Sequence, residues 1–331
     1  WDIATALPLT VDTMPPQPAA LVNTEVSYTA SASNGIIRVY QWDFGDGTAA
    51  TGYSSSPSVS HTYADPGVYY VTLTVNDDVG VPIVQTFMQA VHLPLTANRP
   101  THSSNIVYEE RSAADDRVWV VNQDNDTVSV FNAASNAKLA EIAVGVSPRT
   151  LAIAPDGRVW VTNRSYATIS VIDAASLVVT QTLPLPHSTA PYGISFSPTA
   201  NEAYVVLEAT GELQKLNAST GAFMSSVDVG PNPRHVSVDA TGTRVFVARH
   251  VTPRQPGEGT SSPQSEIGGN PTGGEIVPVD SASMTALPVI VLRHSDKVDF
   301  ENQGGGVPNY LGAMTISPDG ASASIASKQD N

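Results

Sequence analysis

An eighteen-residue stretch of this chain returns, altered but recognisable, at near-regular intervals. "VWVVNQDNDTVSVFNAAS" (118–135) becomes "VWVTNRSYATISVIDAAS" (159–176), 41 residues on, and "AYVVLEATGELQKLNAST" (203–220), a further 44 on; a fourth copy starts at "VFVARHV" (245–251). A second signature runs between them: "VGVSPRTLAIAPDG" (144–157), "STAPYGISFSPTA" (188–200), "VGPNPRHVSVDATG" (229–242) and "GGVPNYLGAMTISPDG" (305–320), with a degenerate first form in "NRPTHSSNIVYEERSAADD" (98–116). Each unit holds four short apolar runs; in the second these are about 149–154, 158–163, 168–173 and 177–184. One such unit leaves a sheet face bare, so neighbours must stack to bury it.

Self-similarity near 42 residues with four strands per unit is the mark of a β-propeller blade. The repeat also decides how to read Asp124-Asn125-Asp126, which could open a calcium loop. The second copy has Ser165-Tyr166-Ala167 there and the third Ala209-Thr210-Gly211. A repeated calcium site would keep its carboxylates, whereas a turn between strands needs only small or polar residues. The triplet is therefore read as a turn.

Residues 8–93 are different. "VSYTAS" (26–31), "VYQWDF" (39–44), "HTYADPGVYYVTLTV" (61–75) and "QTFMQAV" (85–91) alternate with period two, which predicts a half-buried antiparallel sandwich. Trp42 and Phe44 should share one face, and Tyr69, Val71, Leu73 and Val75 should form a core stripe. "YQWDFGDGTAATG" (40–52) with "SHTYADPGVYYVTLTVNDD" (60–78) resembles the PKD domain, an immunoglobulin-like β-sandwich. That resemblance implies a spacer or interaction module of exported proteins. Asp43 and Asp46 are candidate calcium ligands, or else acceptors for turn amides. The "WVVN…TVSVFNAAS" and "PRTLAIAPDG" pair, from about 98 to 331, resembles the YVTN family of propellers, which implies an exported or surface protein of prokaryotes.

The expected organisation is a linker or tail (1–7), the PKD-like sandwich (8–93), a linker (94–101) and the propeller (102–331) with four blades and the start of a fifth. Pro148, Pro191 and Pro233 are spaced by 43 and 42 residues, but Pro308 follows after 75. The excess falls in two inserted loops, about 252–274 and 293–306, either binding-face insertions or surface decoration. A chain ending within a blade leaves a raw sheet edge, so further blades or domains are expected beyond Asn331.

The position after each of these prolines, and the one following it, should converge at the channel mouth. The expected ligand-binding residues are His102, Arg149, Tyr192, Arg234, His235, Asn309 and Tyr310, suited to an anionic or polar ligand or a partner's acidic loop. A copper or zinc site is a further candidate, from His235, His250, His294 and Asp296. Against both stands the reading that these groups serve the fold.

With 31 acids and 16 bases, four of them lysine, the formal charge is −15. Such a field repels phosphate backbones and anionic lipid, which argues against nucleic acid and membrane-surface partners. No apolar run is long enough to span a bilayer as a helix. No cysteine is present, which removes disulfides, thiolate metal sites and thiol nucleophiles. No nucleophile elbow, phosphate loop or dinucleotide fingerprint is found, and no cofactor is predicted. Three glycosylation sequons, at Asn125, Asn163 and Asn217, are read as incidental.

The leading expectation is thus a non-catalytic secreted, periplasmic or cell-surface protein whose propeller binds a protein or glycan. The alternative is the propeller portion of a larger exported metal- or haem-dependent oxidoreductase or electron-transfer protein.

Overall fold

A computed structural model describes residues 9–12, 14, 17–77, 82–93, 100–251, 266–267, 270–271, 273–292, 307–317 and 319–330. The chain divides into two compact units, Trp1–Ala97 and Asn98–Asn331. Every regular element among the described residues is a strand.

In the first unit, Ala20–Leu21, Ile83–His92, Gly67–Asn76 and Val39–Asp43 form one sheet in that order. Glu25–Thr29 pairs antiparallel with Ser58–Thr62 in a second. Alternation does what the pleat requires: Val71, Leu73 and Val75 are fully buried, and Trp42, Phe44, Tyr28 and Tyr63 pack with them. Buried phenols need partners. The Tyr28 hydroxyl donates to Gln89 Oε1 at 3.1 Å and lies 3.2 Å from the Tyr63 hydroxyl. The two candidate calcium ligands serve turns. Asp43 Oδ1 accepts from the Gly45 amide, and Asp46 Oδ1 from both the amide and hydroxyl of Thr48. Asp46 Oδ2 also meets His61 Nε2 at 2.7 Å, fixing an imidazole that stacks on Phe44.

The second unit is built of four-stranded antiparallel meanders. Blade two comprises Pro148–Ile153, Val159–Asn163, Thr168–Asp173 and Val178–Pro184, paired in sequence order, close to the expected bounds. Blade three follows with Pro191–Phe196, Glu202–Leu207, Glu212–Asn217 and Phe223–Asp228. In blade one the inner strand is Ile106–Glu109. Blade four runs Pro233–Val238, Arg244–Arg249 and Gly274–Asp280, and its third strand pairs with both Thr285–Ala286 and Ile290–Leu292. Next to it lies the hairpin Met314–Ile316 with Ala323–Ile325, tied to blade four by the Ser237 hydroxyl donating to the Met314 carbonyl at 2.6 Å. Most of the two inserted loops lies outside the described residues.

Stacking supplies the core, as the repeat demands. Trp160 of blade two meets Phe196 of blade three edge-on at 5.3 Å, within a continuous cluster that includes Ile169, Val171, Ile194 and Val205. Equivalent clusters join blades one to two and three to four.

The recurrent turns explain the recurrent residues. Asp126, Ala167 and Gly211 occupy the same left-handed position in three blades, with φ of 56°, 49° and 75°. Each offers its carbonyl to the amide eighteen residues on, Val144, Leu185 or Val229. The carboxylate of Asp126 accepts from the Ser147 amide at 2.8 Å, so the acidic triplet is a turn whose acid caps backbone. Side-chain oxygens of Asn132, Asp173, Asn217 and Asp280 cap the next turn in all four blades. Asn163 is fully buried and donates to Thr168 and Ser170, which leaves this sequon no room for a glycan.

Candidate functional site

The inner strands of blades two, three and four open with Pro148, Pro191 and Pro233, so the next side chains, Arg149, Tyr192 and Arg234, come together at one end of the ring. The guanidinium carbons of Arg149 and Arg234 lie over the Tyr192 ring at 5.9 and 5.1 Å. The His235 ring meets Tyr192 edge-on at 5.4 Å. Cations packed against an aromatic face gain from its quadrupole, so this stack is self-supporting.

His102 reaches the same place by another route. It does not belong to the inner strand of its own blade; residues 101–105 run across the axis of the ring. The Thr101 carbonyl accepts from Val238, Ser103 donates its amide to the Val236 carbonyl, and Ser104 accepts from Leu151. His102 thereby faces Ser237 and Ser104 faces Leu151 in two isolated bridges. The Ser103 hydroxyl sits 3.2 Å from His235 Nδ1. Gly193 makes this crossing possible, since a Cβ there would stand 2.5 Å from the Arg234 carbonyl and 3.0 Å from Ser103 Oγ.

Between these groups lies a cavity of about 300 Å³, lined by His102, Arg149, Tyr192 and His235 together with Asn105, Gln123 and Thr315 among others. Among the described residues its walls contain one permanent cation, two imidazoles and no carboxylate. At the far ends of the inner strands a second cavity, about 480 Å³ and bounded by Ile153, Phe196 and Ile316, shares His102 alone with the first among the described residues.

The two arginines differ in electrostatics. Arg234 is ion-paired with Glu208, which also binds Arg164 at 2.9 Å. Burial acts to raise the Glu208 pKa, but the bonds from Arg234 and Arg164 outweigh it and hold the carboxylate below its usual value. Arg149 instead donates to the neutral Gln123 Oε1 at 2.5 Å, has no carboxylate partner among the described residues, and keeps a buried Nε without a hydrogen bond. Both imidazoles are held uncharged. Burial, then electrostatic coupling to His250, the Arg234 cation and His102, push His235 down to about 4, and burial lowers His102 as well.

Asn309 and Tyr310 stand apart from this cavity. Tyr310 packs edge-on against His250 at 5.2 Å under the ammonium of Lys328, and Asn309 Oδ1 accepts from the Tyr310 amide. The lining residues from that segment are Ala313 and Thr315. His250 neighbours His235 electrostatically, while His294 and Asp296 lie outside the described residues. Among the described residues no three His, Asp or Glu side chains gather to hold a metal ion. Sequence reasoning missed Gln123 and Asn105; the turn position of Gln123, directly after Asn122, was the available signal.

Residues 78–250 match the YNCE-like beta-propeller family, more than half of the chain, and residues 9–91 match the PKD domain. This chain belongs to the YNCE-like beta-propeller family. The family match ends at residue 250, where the first inserted loop of this YNCE-like propeller begins. Among curated proteins, a pre-pro-metalloprotease PrtV of Vibrio cholerae serotype O1, found in two strains, is 36% identical over 98 residues. That match takes in 30% of this chain and only 10% of the protease. Among solved structures, the Kuenenia stuttgartiensis hydrazine synthase superposes with a TM-score of 0.50 at 20% identity, over 77% of this chain and 70% of that one. At that identity the likeness is one of fold. No helix among the described residues is long and apolar enough to cross a membrane.

Proposed function

We propose that this protein is a non-catalytic extracellular binding module, carrying a PKD spacer, whose propeller receives an anionic group of a surface protein or glycan at the channel mouth. The observation that carries this reading is the asymmetry around Tyr192. Arg234 is ion-paired with Glu208, which it shares with Arg164, whereas Arg149 lines a cavity with no carboxylate among the described residues, in a chain of net charge −15. A guanidinium with no counter-ion among the described residues, in such a setting, favours a ligand that brings one. Extracellular placement draws support from the PKD domain and from the similarity to a segment of PrtV.

The test is equilibrium binding of the full chain to a panel of acidic and neutral polysaccharides and peptides, at two salt concentrations, beside the R149A variant. Binding restricted to acidic members and reduced at least tenfold by R149A is expected. Equal binding by R149A would remove the channel mouth as the site.

A further inference from the structure

We infer that the channel-mouth cavity takes an acidic sugar residue, a uronic acid, with its carboxylate on Arg149 and its hydroxyls on the surrounding amides and hydroxyls. The inference rests on the reading above and narrows its ligand.

Three observations select the sugar. First, the charge is single. Arg149 is the one lysine or arginine among the described lining residues, Arg234 stands outside that lining in its ion pair with Glu208, and burial lowers the pKa of both lining imidazoles, His102 and His235, so the wall presents one permanent positive charge. A monoanion matches it; a phosphate dianion does not. Second, the wall is polar nearly throughout, with Ala313 its one aliphatic member among the described residues. An acidic peptide inserting its side chain brings methylene groups, which need apolar surface; a pyranose brings hydroxyls. Third, the polar groups are available. The Asn105 amide, the Tyr192 hydroxyl and the Thr315 hydroxyl have no side-chain hydrogen-bond partner among the described residues, and Gln123 uses only Oε1, leaving its amide hydrogens. Polar groups that converge on a concavity and are not spent on the fold are the ones that fix a ligand's orientation. A volume of about 300 Å³ accommodates one ring, at the small end of ligand cavities.

The geometry assigns roles within the site. Arg149 is anchored on one side by Gln123 and on the other by the Tyr192 ring, so it meets the carboxylate pre-oriented. Asn105 lies on the axial segment and Thr315 on the hairpin beyond blade four, so ring hydroxyls would bridge two separate elements of the second unit.

The experiment is calorimetric titration of the full chain with digalacturonic acid, with the matched neutral digalactose, and with a glutamate-containing tripeptide. Millimolar or tighter binding of digalacturonic acid is expected. R149A should weaken it at least tenfold, R149K less, and N105A or T315A severalfold; the digalactose should bind at least tenfold more weakly. Circular dichroism of each variant reports its folding, and R149K keeps the test valid if R149A is unstable. Binding of the tripeptide but not of digalacturonic acid, lost in R149A, would overturn the sugar and leave the anion-binding reading intact. Binding of neither acid overturns both. Digalacturonic acid bound equally by wild type and R149A overturns this assignment of its carboxylate.

Discussion

The hydroxyl of Thr150, on the inner strand of blade two, donates to the main-chain carbonyl of Tyr192 on blade three at 2.7 Å and accepts from the Ile194 amide at 3.1 Å. Thr162 adds a second bond to the same carbonyl at 2.6 Å. One buried hydroxyl thus stitches two blades directly beneath the aromatic ring on which Arg149 rests. Replacing it with the isosteric valine keeps the volume and strands the buried Ile194 amide. T150V should lose about 1–3 kcal/mol of stability, read as a lowered melting temperature, with ligand affinity falling alongside.

Gly193 is the second seam. A methyl group there would press on the Arg234 carbonyl, which belongs to the backbone and cannot swing aside as a side chain would. G193A should cost about 1–3 kcal/mol through forced displacement. Because the displaced atoms belong to Arg234, Ser103 and His235, binding at the channel mouth should drop more than the melting temperature alone implies.

Acid should loosen the second unit before its carboxylates titrate. His235 is held at about 4 in the folded protein against 6.5 when unfolded, and His102 and His250 are lowered in the same sense. The unfolded chain therefore binds more protons between these values, so stability is full above about 6.5 and declines as pH falls towards 4. For His235 the slope approaches about 1.4 kcal/mol per pH unit. Melting temperatures from pH 7 to pH 5 should fall, and H235Q should flatten the decline. A wild-type curve level across that range would contradict the burial of these rings.

In the first unit, Tyr28 joins the strand Glu25–Thr29 to Gln89 on the opposite sheet through its hydroxyl. Y28F keeps the ring packed against Phe87 at 5.3 Å but leaves the Gln89 oxygen without this buried donor. A loss of about 1–3 kcal/mol in chemical denaturation is expected, without change in spectroscopic strand content.

What the sequence revealed follows its periodicity. Blade bounds, turn residues and the convergence of Arg149, Tyr192, Arg234 and His235 were legible because each follows from a repeated proline and a repeated pleat. Asn309 and Tyr310 were projected by the same rule, but Tyr310 packs on His250, outside the cavity that Ala313 and Thr315 line. The route of residues 101–105 had no signal at all, since two isolated bridges and a few main-chain bonds need no particular side chain. Nor could spacing tell Arg149 from Arg234, because the carboxylate that pairs with Arg234 comes from a different blade.

The axial segment also constrains how the ring can form. Ser103 and the strand it fastens, at Val236, are 133 residues apart along the chain, whereas strands within a blade meet across turns of a few residues. Closing so long a loop costs entropy that no local hairpin repays, and contacts of this range slow folding. Blades can therefore assemble from neighbour to neighbour, while the crossing at the axis must wait for blade four. The channel-mouth cavity, whose wall that crossing completes, is among the last features of the fold to exist.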